Sequence, residues 1–565
     1  MTETENSDLT ERGKQLKVFI LLTLTVFISS YFYFRDFGFY EDDYYHITLY
    51  LKITFTELVS FIGIRITNWF QGHPFAFFPS LFTYLAMKTG GVPMLYIFSF
   101  LILSLNAFLF YKLLKKIKPG SEIFAVSGAL MFILFPANTT KILLTYSFTM
   151  QLALTFFIAA CLFYLSERKV LSYIFILFSL FLYEPVFMVF FGIPLLKIRN
   201  TENRGRAFLK HTGIMLSILI ITFIVRKMMG EARISGMLNN FPGFAKDIFS
   251  GIVSGPLTIF KNLARTPFTV FREMNSADIV FMAAGFVLIM VTFYLTNTKT
   301  KTENISYTSR NITLTDSVKM ILVSVILIML SYTIPLMQNY PVTIEYGRMS
   351  SVHTAAVTGS SLLFGMICDL FVNSFRKNII RTFALAVISI YLSFIFVYNV
   401  MIQNDFVKSR EIQKDFWTEV KGLCPDLKDS TLVFAVQNEN NKIRNTKYIN
   451  SNSWLDPTIM KQIYQFPDYW KNPPRLFIMN EDWEKKVFAN GDKLEWKVPA
   501  ATWISHNEIL PDSNLIILKC SENNKLTRDY SPVKIKDNNI NLRPENSPEF
   551  KSWKKGVLDS YLIRQ

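Results

Sequence analysis

Charged residues are scarce in this chain of 565 residues. Asp, Glu, Lys and Arg make up only 18% of it, whereas 51% of its residues are hydrophobic and 54 are Phe. A chain this poor in charge is not an ordinary soluble protein, and its composition is typical of a protein that faces lipid. The net charge of +16 does not indicate a nucleic-acid partner, because Lys and Arg cluster in short loops between apolar segments.

Cysteine is rarer still, and its four residues show no metal-ligand spacing. Cys161 and Cys368 fall in apolar runs. Cys424 and Cys520 lie in a polar C-terminal region and can pair if that region is outside the cytoplasm. No small-residue cleavage site follows the first apolar run, 17–34, so we interpret this run as a retained first helix.

Apolar stretches long enough to cross a bilayer, roughly 17 to 25 residues each, recur along the first 400 residues. A further stretch, 171–196, carries Glu184-Pro185 at its middle, which predicts two short helices that meet there. The basic loops then fall on one side, the cytoplasm, together with the N-terminus, and the chain crosses the membrane about eleven times. The other predicted spans are 17–34, 92–111, 121–137, 145–165, 207–225, 278–296, 318–337, 352–374 and 380–400.

Two domains are predicted from the change in composition near residue 401. Residues 1–401 form a polytopic α-helical membrane domain with amphipathic outer loops at 35–91 and 226–277. Residues 402–565 form a soluble extracytoplasmic α+β domain, with strand-like runs at 431–436, 475–479 and 514–518. This domain has no Gly-rich phosphate loop and no nucleophile elbow. Its tryptophans are expected in the core rather than as sugar platforms, at Trp417, Trp454, Trp470, Trp483, Trp496, Trp503 and Trp553.

An acidic triplet, Glu41-Asp42-Asp43, stands among aromatic residues just after the first helix, at the predicted outer edge of the membrane. Desolvation and mutual repulsion there favour a proton, a cation or a metal beside it, unless the triplet is a solvated turn. Repulsion between adjacent carboxylates tends to raise a pKa, whereas neighbouring cations oppose the rise, so the sequence leaves the direction open.

The chain resembles the GT-C superfamily of membrane glycosyltransferases in the order of its predicted features. These are a single N-terminal helix, an acidic motif in a long first outer loop, many further helices and a C-terminal outer domain. The run 72–78, which begins Gly72-His73-Pro74, and the run 105–114 are similar to the first-loop end and second helix of its protein O-mannosyltransferase-like branch. Phe135-Pro136-Ala137-Asn138 and Leu182-Tyr183-Glu184-Pro185 resemble its Pro-containing third-helix end and its Ser-Lys-Glu step. Tyr346-Gly347-Arg348-Met349 is similar to a late Arg-containing turn.

The resemblance implies a hexosyl- or pentosyltransferase that uses a polyprenyl phosphate sugar as donor. Asp42 or Asp43, with Glu41 beside them, would provide the general base that the acceptor hydroxyl needs. This chain departs from the family pattern in two places. The usual pair of acidic residues is a triplet here, and Tyr183 replaces the Lys that precedes the step glutamate.

The donor phosphate needs fixed cations or hydrogen-bond donors, and Arg348 is the first candidate, with headgroup contact as the alternative. Arg65, His73 and Lys141 are further candidates, although a His at a helix start is as often a cap. Glu184 orders the substrate site or forms an ion pair, with Arg348 or Lys141 as candidate partners. Glu41, Asp42 and Asp43 also offer the oxygen ligands that Mg²⁺ or Mn²⁺ prefers, although the resemblance requires no metal.

The function that follows is sugar transfer on the outer face of a plasma membrane, in bacteria the inner membrane. The acceptor is a cell-envelope glycan, a lipid-linked saccharide or a protein, and membrane lipid surrounds the helices. Two alternatives stay open: a polysaccharide polymerase of the O-antigen type, and a flippase or transporter of lipid-linked sugars. The sequence has neither the internal repeat nor the paired broken helices that are typical of many transporters.

Overall fold

Helices dominate the computed structural model of the protein. The structure describes residues 3–67, 73–197, 204–231, 241–297, 314–334, 347–437, 442–444, 446–447, 456–490, 493–497, 507–521, 525–535, 538–545, 547–548 and 554–564. The α-helices of the first 300 residues are α1 Glu3–Val26, α2 Asp43–His46, α3 Leu49–Lys52, α4 Phe55–Thr67, α5 Phe77–Ile117, α6 Glu122–Leu134, α7 Leu144–Leu165, α8 Lys169–Leu182, α9 Glu184–Val189, α10 Arg204–Met228, α11 Phe241–Glu273 and α12 Ser276–Asn297. The later ones are α13 Leu314–Leu330, α14 Ala356–Asn373, α15 Asn378–Leu423, α16 Asp456–Ile463 and α17 Asp559–Leu562.

Seven helical segments of the described residues are long and apolar enough to cross a membrane, which supports the predicted helical membrane protein. Shorter apolar segments accompany them, namely α6, α8 and Glu184–Leu196, which consists of α9 and the 3₁₀ helix that follows it. The total number of crossings and their orientation remain predictions. The seven segments are Glu11–Tyr31, Pro74–Ile117, Leu144–Leu165, Gly205–Met228, Ser276–Thr296, Ala356–Asn373 and Asn378–Leu423.

The helix break predicted at Glu184-Pro185 is confirmed. Helix α8 ends at Leu182, Tyr183 is extended with φ −157° and ψ 109°, and α9 begins at Glu184 with Pro185 in its first turn. Proline is tolerated in a first turn because the N–H that it lacks has no partner inside the helix. The break therefore follows directly from the local sequence.

Small residues allow two buried helices, α6 and α14, to approach closely. A Cβ atom added at Gly365 of α14 would lie 2.6 Å from the carbonyl oxygen of Phe124 in α6. From the other side, a Cβ atom at Gly128 of α6 would lie 3.1 Å from the carbonyl oxygen of Ser361. Such close backbone contact through glycine is typical of helix packing in membranes.

Contacts divide the chain into two compact units. The first comprises Met1–Phe34, Thr56–Ile142 and Tyr146–Gln403, and the second comprises Arg35–Phe55, Leu143–Thr145 and Asn404–Gln565. The second unit thus contains the acidic triplet as well as the C-terminal region. The sequence predicts the triplet in an outer loop of the membrane domain instead, because no local pattern links it to residues more than 350 positions away.

A four-stranded sheet forms the centre of the second unit. Its strand order is β10-β9-β1-β5, in which β1 pairs in parallel with β5 and β9, and β10 is antiparallel. The three predicted strand runs are confirmed as β1, β5 and β9, and they are neighbours in this sheet. The strands are β1 Leu432–Gln437, β2 Lys442–Ile443, β3 Thr446–Lys447, β4 Tyr464–Gln465, β5 Arg475–Asn480, β6 Val487–Asn490, β7 Lys493–Lys497, β8 Asn507–Ile509, β9 Leu515–Cys520, β10 Leu526–Asp529, β11 Val533–Ile535, β12 Asn538–Ile540 and β13 Lys554–Lys555.

The described tryptophan residues of the second unit lie mainly in its interior. Trp417, Trp483 and Trp496 are at most 3% exposed, as predicted for core residues, and Trp470 is half-buried against Phe466. Trp454, Trp503 and Trp553 lie outside the described residues. Cys424 and Cys520 carry free thiols in this structure, so they do not form the disulfide that the sequence allowed.

Candidate functional site

The acidic triplet forms a tight turn that leads into the short helix α2. Glu41 has a φ of 45°, in the left-handed region that residues other than glycine rarely adopt. The turn closes through a hydrogen bond from the Asp43 N–H to the carbonyl oxygen of Tyr40, at 2.9 Å. Asp42 is 8% exposed and Asp43 is fully buried, so the triplet is not the solvated turn that the sequence left open.

Asp43 binds backbone N–H groups through both of its carboxylate oxygens. Its Oδ1 accepts from the N–H of Thr145 at 2.7 Å, and its Oδ2 accepts from those of Leu144 at 3.1 Å and Tyr40 at 3.3 Å. Leu144 and Thr145 are the first residues of α7, where backbone N–H groups have no partner inside the helix. Asp43 therefore acts as a cap, a role that the sequence analysis missed because its partners lie about 100 residues away.

Burial raises the pKa of Asp43 to about 7, although the N–H bonds from Thr145, Leu144 and Tyr40 oppose the rise. The sequence had left the direction of the shift open, with repulsion between carboxylates as the reason for a rise. In the structure the main cause is loss of water around the carboxylate. A carboxyl group that titrates near neutral pH is suited to proton transfer or to sensing pH.

Residues of the C-terminal region hold the acidic turn within the second unit. The Tyr40 hydroxyl donates to the carbonyl oxygen of Phe406 at 2.9 Å, and the Tyr44 hydroxyl donates to Gln413 Oε1. Gln462 Nε2 donates to the carbonyl oxygen of Tyr44 at 3.2 Å. Both tyrosines are at most 1% exposed, so these bonds are shielded from water and fix the position of the turn.

Arg410 is a cation beside the turn that the sequence analysis did not consider. Its Nη1 donates to the carbonyl oxygen of Asp36 at 2.8 Å. A Cβ atom at Gly38 would lie only 3.0 Å from Arg410 Cδ, so the absence of a side chain at Gly38 makes room for the arginine. Nothing local marks Arg410, because it lies in the polar part of α15 and pairs with a segment 374 residues earlier.

Three segments that carry the family resemblance meet in the first unit. The Gly347 N–H donates to Thr139 Oγ1 at 2.9 Å, and the Thr139 N–H donates to Ser350 Oγ at 3.0 Å. The Tyr183 hydroxyl donates to the carbonyl oxygen of Ser351 at 3.3 Å. The loop after α6, the break between α8 and α9, and the turn that contains Arg348 are thus joined by direct hydrogen bonds.

Arg348 begins a 3₁₀ helix, Arg348–His353, and is half-buried. Gly347 precedes it with a φ of 86°, a conformation that favours glycine. Arg65 lies elsewhere in this unit, on α4, with its guanidinium 4.6 Å from the ring centre of Phe61. Gly72 and Tyr346, which belong to the resembling runs, lie outside the described residues.

Glu184 forms an ion pair at the break between α8 and α9. Arg226 Nη1 lies 2.8 Å from Glu184 Oε1, and Arg226 Nε lies 3.6 Å from Glu231 Oε2. His73 Nε2 lies 3.8 Å from the same oxygen of Glu184. The side chains of Glu184, Arg226 and Glu231 are at most 11% exposed. The sequence suggested Arg348 or Lys141 as the partner of Glu184, whereas this structure pairs it with Arg226, 42 residues later.

Lys141 is buried, with 5% of its surface exposed. Its Nζ donates to the carbonyl oxygen of Ile133 and to Asn399 Oδ1, the latter at 3.3 Å. Among the described residues no carboxylate lies within ion-pair distance of it, and burial lowers the pKa of its amine to about 7. Lys141 lines a small cavity of about 10 Å³, room for one water molecule, with Asn138, Gln151 and apolar neighbours.

The triplet fits a metal ion poorly. Both oxygens of Asp43 already accept N–H bonds, which leaves little of this carboxylate for a cation. Within the described ranges, no three His, Cys, Asp or Glu side chains are grouped as a set of metal ligands.

The predicted site residues divide between the two units. Glu41, Asp42 and Asp43 belong to the second, whereas the candidates for donor binding and for the adjoining ion pair belong to the first, namely Arg65, His73, Lys141, Glu184 and Arg348. A comparison with models of known protein families and a search of curated proteins both found no match.

Proposed function

We propose that this protein is an integral-membrane glycosyltransferase that moves a sugar from a polyprenyl phosphate donor to an envelope glycan, a lipid-linked saccharide or a protein. The observation that supports it most is the convergence in the first unit. Segments around Thr139, Tyr183 and Gly347 resemble three motifs of one family in the sequence, and direct hydrogen bonds join them. The GT-C fold and the donor class rest on that resemblance.

Asp42 is the better candidate for the general base. Asp43 accepts hydrogen bonds from three backbone N–H groups, so its role is to position the turn. Asp42 is partly accessible to solvent, with 8% of its surface exposed. In the proposed step the acceptor hydroxyl gives its proton to Asp42 as its oxygen bonds to the anomeric carbon. The bond from that carbon to the phosphate oxygen breaks, and polyprenyl phosphate leaves.

Arg348 is the candidate in the first unit for binding the donor phosphate. A guanidinium presents paired N–H donors that match phosphate oxygens. The turn that carries Arg348 is fixed by two hydrogen bonds that join its Gly347 and Ser350 to Thr139. Glu184 and Arg226 support the break in which Tyr183 lies. Tyr183 replaces the family's lysine, and its bond to Ser351 gives it a connecting role in place of a charge.

The test is sugar transfer from a radiolabelled polyprenyl phosphate sugar pool to envelope fractions, at matched abundance in the membrane. We expect Asp42→Asn to reduce transfer by at least 100-fold, as loss of a general base does, while the donor stays intact. Asp482→Asn is the control, because this residue carries an exposed carboxylate in the same unit, with a side chain 68% exposed.

Unchanged transfer in Asp42→Asn would remove Asp42 from the mechanism. Absence of transfer in the wild type, with a long polymer made or lipid-linked sugar moved across reconstituted vesicles, would replace the proposal with the polymerase or the transporter. The length of the product chain separates the first of these from a transferase.

A further inference from the structure

Helix α11, Phe241–Glu273, has 33 residues and contains Pro256 and Pro267. One face of it packs against the rest of the first unit. A Cβ atom at Gly255 would lie 2.3 Å from the Tyr332 ring, and the Tyr391 hydroxyl donates to the carbonyl oxygen of Leu263 at 3.1 Å. Most of its buried positions recur every three or four residues, at Gly251, Gly255, Ile259, Asn262, Thr266 and Val270, and Pro256 is buried beside them.

The opposite face of α11 exposes a long apolar stripe. Successive members of the stripe are three, four or eight residues apart, so they lie along one side of the helix. Helix α11 is not among the described segments that have the length and composition of a membrane span. The stripe, with exposed fractions, consists of Phe249 at 71%, Val253 at 48%, Leu257 at 63%, Phe260 at 41%, Phe268 at 77% and Phe271 at 70%.

Cations flank this stripe on one side. At 100° per residue, Lys261, Arg265 and Arg272 follow the stripe by roughly 90° around the helix, between it and the buried face. All three are exposed. Arg272 pairs with Glu273 at 2.7 Å, whereas Lys261 and Arg265 form no ion pair with a described residue. Asp247 shares this flank, but it lies 14 residues before Lys261.

We propose that α11 lies along the membrane–water interface and binds anionic phospholipid, with its stripe on the acyl chains and Lys261 and Arg265 on the phosphate groups. A helix with one apolar face and cations beside it is the arrangement that binds such a surface. The cations select anionic over zwitterionic lipid, because the apolar stripe by itself has no charge preference. This inference is independent of the proposed function.

The experiment places a reporter on the stripe of the full-length protein in lipid nanodiscs. Phe268→Trp adds a tryptophan whose emission, after subtraction of the parent protein, is quenched by lipids with brominated acyl chains. Brominated lipid is mixed at a fixed small fraction, either as phosphatidylglycerol or as phosphatidylcholine. We expect quenching by both, and stronger quenching by phosphatidylglycerol.

A second variant tests the cations. With Lys261→Gln and Arg265→Gln added to Phe268→Trp, the preference for phosphatidylglycerol should fall by about fivefold for each cation removed, while quenching itself persists. Lys485→Gln with Lys519→Gln is the matched control, since both lysines are exposed in the other unit. The proposal is overturned if the Phe268→Trp emission is not quenched, as when a second copy of the chain covers the stripe. Equal quenching by the two lipids, or a preference that is unchanged by loss of both cations, overturns it as well.

Discussion

At the scale of single residues, Asp43 is the most informative side chain. It is fully buried, it accepts three backbone N–H bonds, and burial raises its pKa to about 7. The folded state therefore holds a proton on Asp43 over a pH range in which the unfolded chain has already lost it. This linkage contributes stability at low pH that is lost as the pH rises from about 4 through 7.

Asp43→Asn removes the titrating group and should flatten this pH dependence. We expect the difference in unfolding free energy between wild type and variant to change by on the order of 1 kcal/mol per pH unit between pH 4 and 7. The variant should also be less stable at low pH, because an amide cannot accept all three N–H bonds. The measurement is apparent melting temperature against pH in detergent, with exposed Asp482→Asn as the control. Parallel curves for wild type and Asp43→Asn would contradict the raised pKa.

At the scale of elements, local signals in the sequence are sufficient to predict the helix break and the three central strands. Glu184-Pro185 marked the end of α8, and the runs at 431–436, 475–479 and 514–518 became adjacent strands. The partners of the acidic turn could not be predicted in this way. Tyr40 bonds to Phe406, 366 residues later, and Glu184 bonds to Arg226, 42 residues later. Such pairs depend on tertiary packing, which periodicity does not encode.

The contact between α6 and α14 gives a prediction at this scale. Gly365→Ala places a methyl group 2.6 Å from the carbonyl oxygen of Phe124, which belongs to the backbone and cannot rotate away. We expect a loss of stability of about 1–3 kcal/mol, typical of overpacking, seen as a lower melting temperature in detergent. Gly213→Ala in α10 is the matched control. It meets nothing within 4 Å and should be neutral or slightly stabilising, because alanine favours a helix. Equal effects of the two substitutions would mean that α6 and α14 are farther apart.

At the scale of the whole molecule, the distribution of charge predicts how the chain crosses the membrane. Segments rich in Lys and Arg, such as 112–118 and 197–210, are expected at the cytoplasmic side. If the segment 171–196 crosses the membrane twice, the C-terminal region lies outside the cytoplasm. A transferase that uses a lipid-linked sugar on the outer face needs its acceptor on that same side. The proposed function therefore depends in part on this orientation.

Cysteine accessibility tests this orientation in the full-length protein. In a Cys520→Ser background the three remaining native cysteines are buried, so added cysteines dominate the labelling. Lys555→Cys, at a side chain 76% exposed in the C-terminal region, should react with a membrane-impermeant maleimide in intact spheroplasts. Lys210→Cys, exposed at the start of α10, should react only after lysis. The reverse pattern would place the C-terminal region in the cytoplasm, away from an acceptor on the outer face, and would overturn the proposed transfer at that face.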